Sequence, residues 1–442
     1  MEFHRRLESA TLHDHPYGRA VVAMLEQALE AVDPARAVLR ALRRDGVVLH
    51  VGSEQFAIGH ERQVVLLAVG KAALPMARAA MDVVGDSVVR GVVIAKEVAP
   101  DDYRLPPPIV VLQGGHPVPN EHSIRAGQTA LELVSGVGPD DLVLALISGG
   151  GSALMAAPRA GLTLADLQAL TADLLASGAP IEAMNTLRRR CDLVKGGGLA
   201  RHSNGAQVAV LVLSDVLGDD LRAIASGPFV VADEEAGAVE AVLERYDLGS
   251  NVSQKLRDVL VEPVSAAAPR DRRISHTIVG NVWTAVEMAA ATGRQHGFNV
   301  FTRHAALVGE ARRAGPALIE EFERLKMERP ACMIAGGETT VTIQGNGLGG
   351  RNQELALACV QGMAGRDVLL VTLATDGGDG PTDAAGAVVS GATLVRAQAL
   401  GLDPDDALRR NDAYHFFAEL DDLLKPGPTH TNVNDLTILV AP

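Results

Sequence analysis

Residues Leu142–Leu154 read LVLALISGGGSAL. Apolar residues run unbroken from Leu142 to Ile147, the pattern of a strand buried on both faces of a parallel sheet. Ser148 follows, then Gly149, Gly150 and Gly151, then Ser152 at the head of another apolar segment. Three successive glycines strip every Cβ from the turn, so backbone amides can approach an anion closely. A helix starting at Ser152 would add the positive end of its dipole. The stretch predicts strand, turn and helix, with the turn either seating a phosphate or serving as a tight connection without a ligand.

The same grammar repeats on both sides. Strands are expected at 64–69, 91–95, 109–112, 142–147 and 208–213, with helices over 72–84, 121–134 and 181–194 between them. The helical pattern over 19–44 is interrupted at Asp33-Pro34, where a new helix can begin. Strands alternating with helices imply right-handed crossovers and a parallel sheet. Residues 263–273 are rich in Ala, Pro and charge and lack apolar periodicity, so they read as a linker. The alternation then restarts with strands at 274–279, 299–302, 331–335, 339–343, 368–374 and 436–440. The expected organisation is a first α/β domain over 1–262, the linker, and a second α/β domain over 274–442.

At 442 residues the chain is long enough for two or three domains. Its 47% hydrophobic and 21% charged residues exclude wholesale disorder. Aromatic residues are only 3%, so the core must be packed with Ala, Val and Leu. A net charge of −14 argues against a nucleic-acid binder, which needs a basic face. The three cysteines, Cys191, Cys332 and Cys359, form no CxxC pair and indicate neither zinc nor a disulfide framework. No apolar run reaches the ~18 residues that span a bilayer, and the N-terminus lacks the apolar segment of a signal peptide. A cytoplasmic enzyme with no membrane partner is the expectation.

Ligands of parallel α/β sheets bind beyond the carboxyl ends of the strands, where the polar turns of this chain fall. Lysine occurs at only six positions, and two of them, Lys71 and Lys195, touch glycine. Lys71, after the strand VVLLAVG, is either an anion ligand or a solvated surface residue. In GGHPVPN, His116 is held between Gly115 and Pro117, and acts on a substrate or is structural; Asn120 closes the same turn. NTLRRRCDLVKGGG carries Arg188, Arg189 and Arg190, which cannot share one helix face, and then Lys195 beside Gly196 and Gly197. Asp215, after the strand at 208–213, is the best single candidate for a hard divalent ion, the alternative being that this acidic turn serves helix capping by Asp219 or Asp220. TDGGDGPTD brings Asp376, Asp379 and Asp383 into one loop. Residues 345–350, GNGLGG, match the dinucleotide pattern, although Gly336-Gly337 just before them suggests a hairpin over 331–343. Arg351, directly after these glycines, would set a guanidinium at a helix start, where it can grip a carboxylate in two-pronged fashion.

Taken in order, VGKAALPMA, GGHPVPN, LISGGGSAL, NTLRRRCDLVKGGGLA, SDVLGDDLRAIASGP, GGETTVTIQGNGLGGRNQELALA, TDGGDGPTDAAGA and HTNVNDL resemble the glycerate 2-kinase family, whose C-terminal portion is the MOFRL domain. The resemblance covers almost the whole chain. It implies a Rossmann-like N-terminal domain, a smaller α/β C-terminal domain, and an active site in the cleft between them. It further implies ATP- and Mg²⁺-dependent phosphorylation of D-glycerate at the 2-hydroxyl. By position in the motifs, Lys71 and Arg351 look like the family's active-site lysine and arginine. On this expectation Ser148–Ser152 and Gly196-Gly197 seat ATP phosphates beside Lys195, Asp215 holds Mg²⁺, and His116 and Asn120 bind substrate. Arg351 would hold the glycerate carboxylate and Lys71 the transferring group. One aspartate of Asp376, Asp379 or Asp383 would orient or deprotonate the hydroxyl. Family members have also carried the name hydroxypyruvate reductase, which makes an NAD(P)-dependent reductase the competing reading.

Overall fold

The computed structural model describes residues 7–59, 62–99, 101, 105–231, 237–248, 253–262 and 273–442. The chain divides into two compact units, Pro34–Val279 and a second made of Gly280–Pro442 with the residues up to Asp33.

The first unit opens with a small antiparallel sheet, β1 (Leu42–Asp45), β2 (Val48–Val51) and β3 (Glu54–Ala57). The helical pattern at 19–44 therefore stops early: helices Gly18–Ala31 and Pro34–Ala41 are separated at the expected break, and Leu42 turns into a strand. The main sheet follows, with β4 (Val64–Val69), β5 (Val88–Ala95), β6 (Ile109–Gln113), β7 (Leu142–Ser148), β8 (Gln207–Leu213) and β9 (Ile274–Gly280) in the order β6-β5-β4-β7-β8-β9. Pairings from β6 through β8 are parallel. Every residue of β4 and β7 is buried, as their unbroken apolar runs demand. The chain order reverses beside β4, which leaves the ends of β4 and β7 facing an open crevice of the kind that binds ligands.

The second unit is a mixed sheet of β10 (Asn299–Glu310), β11 (Ala331–Thr340), β12 (Leu369–Ala374), β13 (Gly386–Ser390), β14 (Leu423–Leu424) and β15 (Asp435–Ala441), ordered β10-β11-β15-β12-β13-β14. Its core packs helices Ala311–Arg324 and Arg351–Met363 against the sheet through Leu318, Phe322, Met333, Leu355 and Val360.

Two expectations about organisation fail. The strand expected over 274–279 does not open the second domain: as β9 it is the edge strand of the first sheet, and Val208 N donates to Arg273 O at 2.9 Å. Helix Gly18–Ala31 was placed in the first domain, but it belongs to the second unit, where it packs on helix Val282–Gln295. Both depend on long-range pairing, which local composition does not carry. Of the linker at 263–273, all but Arg273 lies outside the described residues. The hairpin over 331–343 is also absent: β11 runs straight through Gly336-Gly337, pairing with β10 on one side and β15 on the other.

Candidate active site

The crevice is built from two strand ends stitched together. Lys71 N donates to Gly149 O at 2.9 Å, and Ala72 N donates to Ser148 Oγ at 3.0 Å. Gly70, at φ +128°, leaves no room for a side chain, because a Cβ there would lie 2.2 Å from Ser148 Oγ. A Cβ on Gly149 would lie 1.9 Å from Asp215 Oδ2, and one on Gly150 would meet the His116 ring at 3.2 Å and Lys71 Cγ at 3.3 Å. The glycine turn thus brings Lys71, His116 and Asp215 onto one small patch of bare backbone. Helix Gly151–Leu154 is only one turn long, so it starts one residue earlier than expected and contributes little dipole. Among the described residues no acceptor takes the amides of Gly150, Gly151 or Ser152, and no partner takes the Lys71 ammonium.

Ser152 Oγ lies 2.8 Å from Ser226 Oγ, which donates to Asn185 Oδ1 at 3.1 Å. Ala225 and Ser226 hold positive φ, at 49° and 60°, an uncommon backbone for residues with a Cβ. Beside the turn is a cavity of about 180 Å³, lined by His116, Ser152, Thr171, Arg188, Asp192 and Lys195 among others. Burial, with the Lys71 and Lys96 ammonium groups nearby, pushes the His116 imidazole down from 6.5 to about 4. At neutral pH it is an uncharged hydrogen-bonding group.

Several candidates are committed elsewhere. Asn120 caps helix Glu121–Ser135, its Oδ1 accepting from Ser123 N at 3.1 Å while Ser123 Oγ accepts from Asn120 N. Lys195 lines the cavity, but its ammonium is locked to Asp192 Oδ2 at 2.6 Å, with both side chains buried. Gly196 N donates to Ser226 O at 2.9 Å and Gly197 N to Gly227 O at 2.7 Å, so these amides are not open to a phosphate. Their positive φ values of 54° and 78° serve a loop crossing rather than an anion seat.

In the second unit, Arg351 does not present a free fork. Its Nε and Nη2 already grip Asp435, at 2.6 and 3.0 Å, and Nη1 meets Glu338 at 2.6 Å. Asp379 is buried beneath Gly350 and accepts from Asn352 N and Gln353 N at 3.1 and 2.8 Å. It caps helix Arg351–Met363, and burial pushes its carboxyl up, so it is no solvent-reaching base. Asp383 is held by Tyr414 and Lys425. Among the described residues the Asp376 carboxylate accepts from Gly378 N, at 3.2 Å, through one oxygen. The first part of the 345–350 loop is filled as well. Asn411 Oδ1 takes the amides of Gln344 and Gly345, Arg410 O that of Gly347, and Asp412 Oδ1 that of Leu348. A Cβ on Gly345 or Gly347 would strike residues 410–412. Gly345 and Gly347 admit the chain's own backbone, so the leading glycines of the dinucleotide pattern do not face an open turn.

Arg188 is the residue that sequence reasoning left undecided. Of the three consecutive arginines it alone lines the cavity, while Arg189 and Arg190 donate to the carbonyls of Arg222 and Glu262. Asn185 three residues earlier, buried on the same helix face, was the available signal.

Among the described residues no helix is long and apolar enough to cross a membrane. Residues 20–261 match the model of a domain of unknown function (DUF4147), and residues 331–435 match the MOFRL family. The D-glycerate 2-kinase of Thermotoga maritima is 39% identical over 95% of this chain and 97% of its own length. The glycerate 2-kinase of Pyrococcus horikoshii is 36% identical over 94% and 96%. The crystal structure of glycerate kinase from Thermotoga maritima superposes with a TM-score of 0.84 at 37% identity, covering 96% of this chain and 99% of that one. By motif, fold and near full-length similarity, the chain belongs to the glycerate 2-kinase family.

Proposed function

We propose that this protein transfers the terminal phosphoryl group of ATP to the 2-hydroxyl of D-glycerate, giving 2-phosphoglycerate and ADP. The observation that carries the reading is the open glycine turn 149–151, whose amides and the neighbouring Lys71 ammonium meet no partner among the described residues, beside a cavity of about 180 Å³. Phosphoryl transfer asks a protein mainly for positioning and charge stabilisation. The amides of Gly150, Gly151 and Ser152 cradle phosphate oxygens, and Lys71 neutralises charge on the transferring group. His116, uncharged at neutral pH, donates or accepts one directed hydrogen bond at the cavity mouth. Of the three aspartates in the 375–383 loop, Asp376 is the one with a carboxylate oxygen that meets no donor among the described residues.

A kinase of this family implies Mg²⁺. Among the described residues no three His, Cys, Asp or Glu side chains gather as a metal cage. Mg²⁺ bound with phosphates needs only one or two carboxylates, and Asp215, pressed against the bare backbone of Gly149, supplies one where phosphate oxygens would arrive. When bound there the ion would offset phosphate charge.

The test is ADP release by the purified protein from Mg-ATP, with and without D-glycerate, alongside NADPH and hydroxypyruvate. D-glycerate-dependent ADP with 2-phosphoglycerate as product supports the reading, and NADPH oxidation without ADP release refutes it.

A further inference from the structure

Arg188 is the charged group in the cavity that the phosphate seat leaves unused. It lies in helix Ile181–Cys191, and among the described residues it makes no hydrogen bond or ion pair. The charges around it are already balanced. Lys195 and Asp192 form a closed pair at 2.6 Å, and the other Asp192 oxygen accepts from Ala157 N and Val194 N at 2.9 and 3.1 Å. His116 is held uncharged. Burial pulls the Arg188 guanidinium down from its ordinary range, with no carboxylate to offset the cost. A half-buried cation without a partner, facing a cavity, is a group waiting for an anion.

Its placement is rigid. Asn185, one turn earlier on the same face, is joined through Ser226 to Ser152, which fixes the helix against the glycine turn. The guanidinium fork matches a carboxylate bidentately, whereas a lysine would offer a point charge. The cavity, about 180 Å³, is smaller than the ~300–1,000 Å³ of sites for drug-sized ligands. It suits a three-carbon acid rather than a nucleotide.

We propose that Arg188 binds the carboxylate of the three-carbon acid in this cavity, and so selects the acid over the uncharged polyol. The proposal rests on the kinase reading and moves the carboxylate-anchoring role from Arg351, whose fork Asp435 already fills.

Steady-state kinetics of Arg188→Gln and Arg188→Lys test it, with thermal melts confirming the fold and Arg188→Lys carrying the test if Arg188→Gln does not fold. The KM for D-glycerate should rise about tenfold or more in Arg188→Gln and less in Arg188→Lys, with the KM for ATP within about twofold of the parent. The preference for D-glycerate over glycerol should fall in parallel. Without ATP, D-glycerate should raise the melting temperature of the parent but not of Arg188→Gln. An unchanged D-glycerate KM in a folded variant, or a rise in the ATP KM instead, overturns the assignment and leaves the kinase reading standing. No D-glycerate-dependent ADP release by the parent overturns both.

Discussion

Gly150 sits at φ +82° with His116 and Lys71 packed over the place a side chain would occupy. Gly150→Ala should therefore cost about 1–3 kcal/mol of strain and push Lys71 away from the turn. The measurement is kcat/KM beside a urea melt. Activity should fall by more than the change in folded population explains, and parent-like kinetics would show that the turn carries no ligand. His116 gives a pH prediction. Its folded pKa of about 4 lies below the ordinary 6.5, so the unfolded chain takes up the proton more readily. The stability that follows is fully present above pH 6.5 and is lost as pH falls from 6.5 towards 4. Urea melts between pH 7 and pH 4 should show a decline that is smaller in His116→Gln. An identical decline in the two proteins would contradict the assigned burial.

The three glycine runs show how far elements were legible in the sequence. All three looked alike as strings, yet among the described residues the amides of 150–152 meet no acceptor while the leading glycines of the other two runs do. Ser226 and Gly227 take the amides of Gly196 and Gly197, and Asn411 and Arg410 take those of Gly345 and Gly347, all from far along the chain. No local pattern reports such partners. Strand ends and helix starts were readable because burial on both faces and capping are local, as at β4, β7 and Asp33-Pro34, where helix Pro34–Ala41 begins. The fork of Arg351 was not readable, because Asp435 lies 84 positions away. Arg351→Ala leaves Asp435 buried without its cation and should cost about 3–5 kcal/mol in stability. The double change Arg351→Ala with Asp435→Asn should recover part of that loss in thermal melts, and full stability in the single variant would contradict the pairing. In β7, Leu144 is fully buried, and Leu144→Ala should cost about 2–5 kcal/mol in a chemical melt. A loss below ~1 kcal/mol would deny the strand its central place.

Over the whole molecule the charge is −14, yet the candidate seat gathers Lys71 and Arg188, both without partners among the described residues. Net charge describes solubility and the repulsion of bulk polyanions, while two cations gathered at one crevice govern what binds inside it. The alternation of strands and helices announced the fold class. The assignment of β9 and of helix Gly18–Ala31 to their units required pairing and packing that only the folded chain displays. The central claim is that the bare turn at 149–151 and Lys71 together carry phosphoryl transfer. It is tested most directly by D-glycerate-dependent ADP formation in Lys71→Ala, with fold verified by melting. The account predicts a loss in kcat/KM of about 2–4 kcal/mol, roughly 30- to 1,000-fold. A folded Lys71→Ala protein turning over at the parent's rate would contradict it.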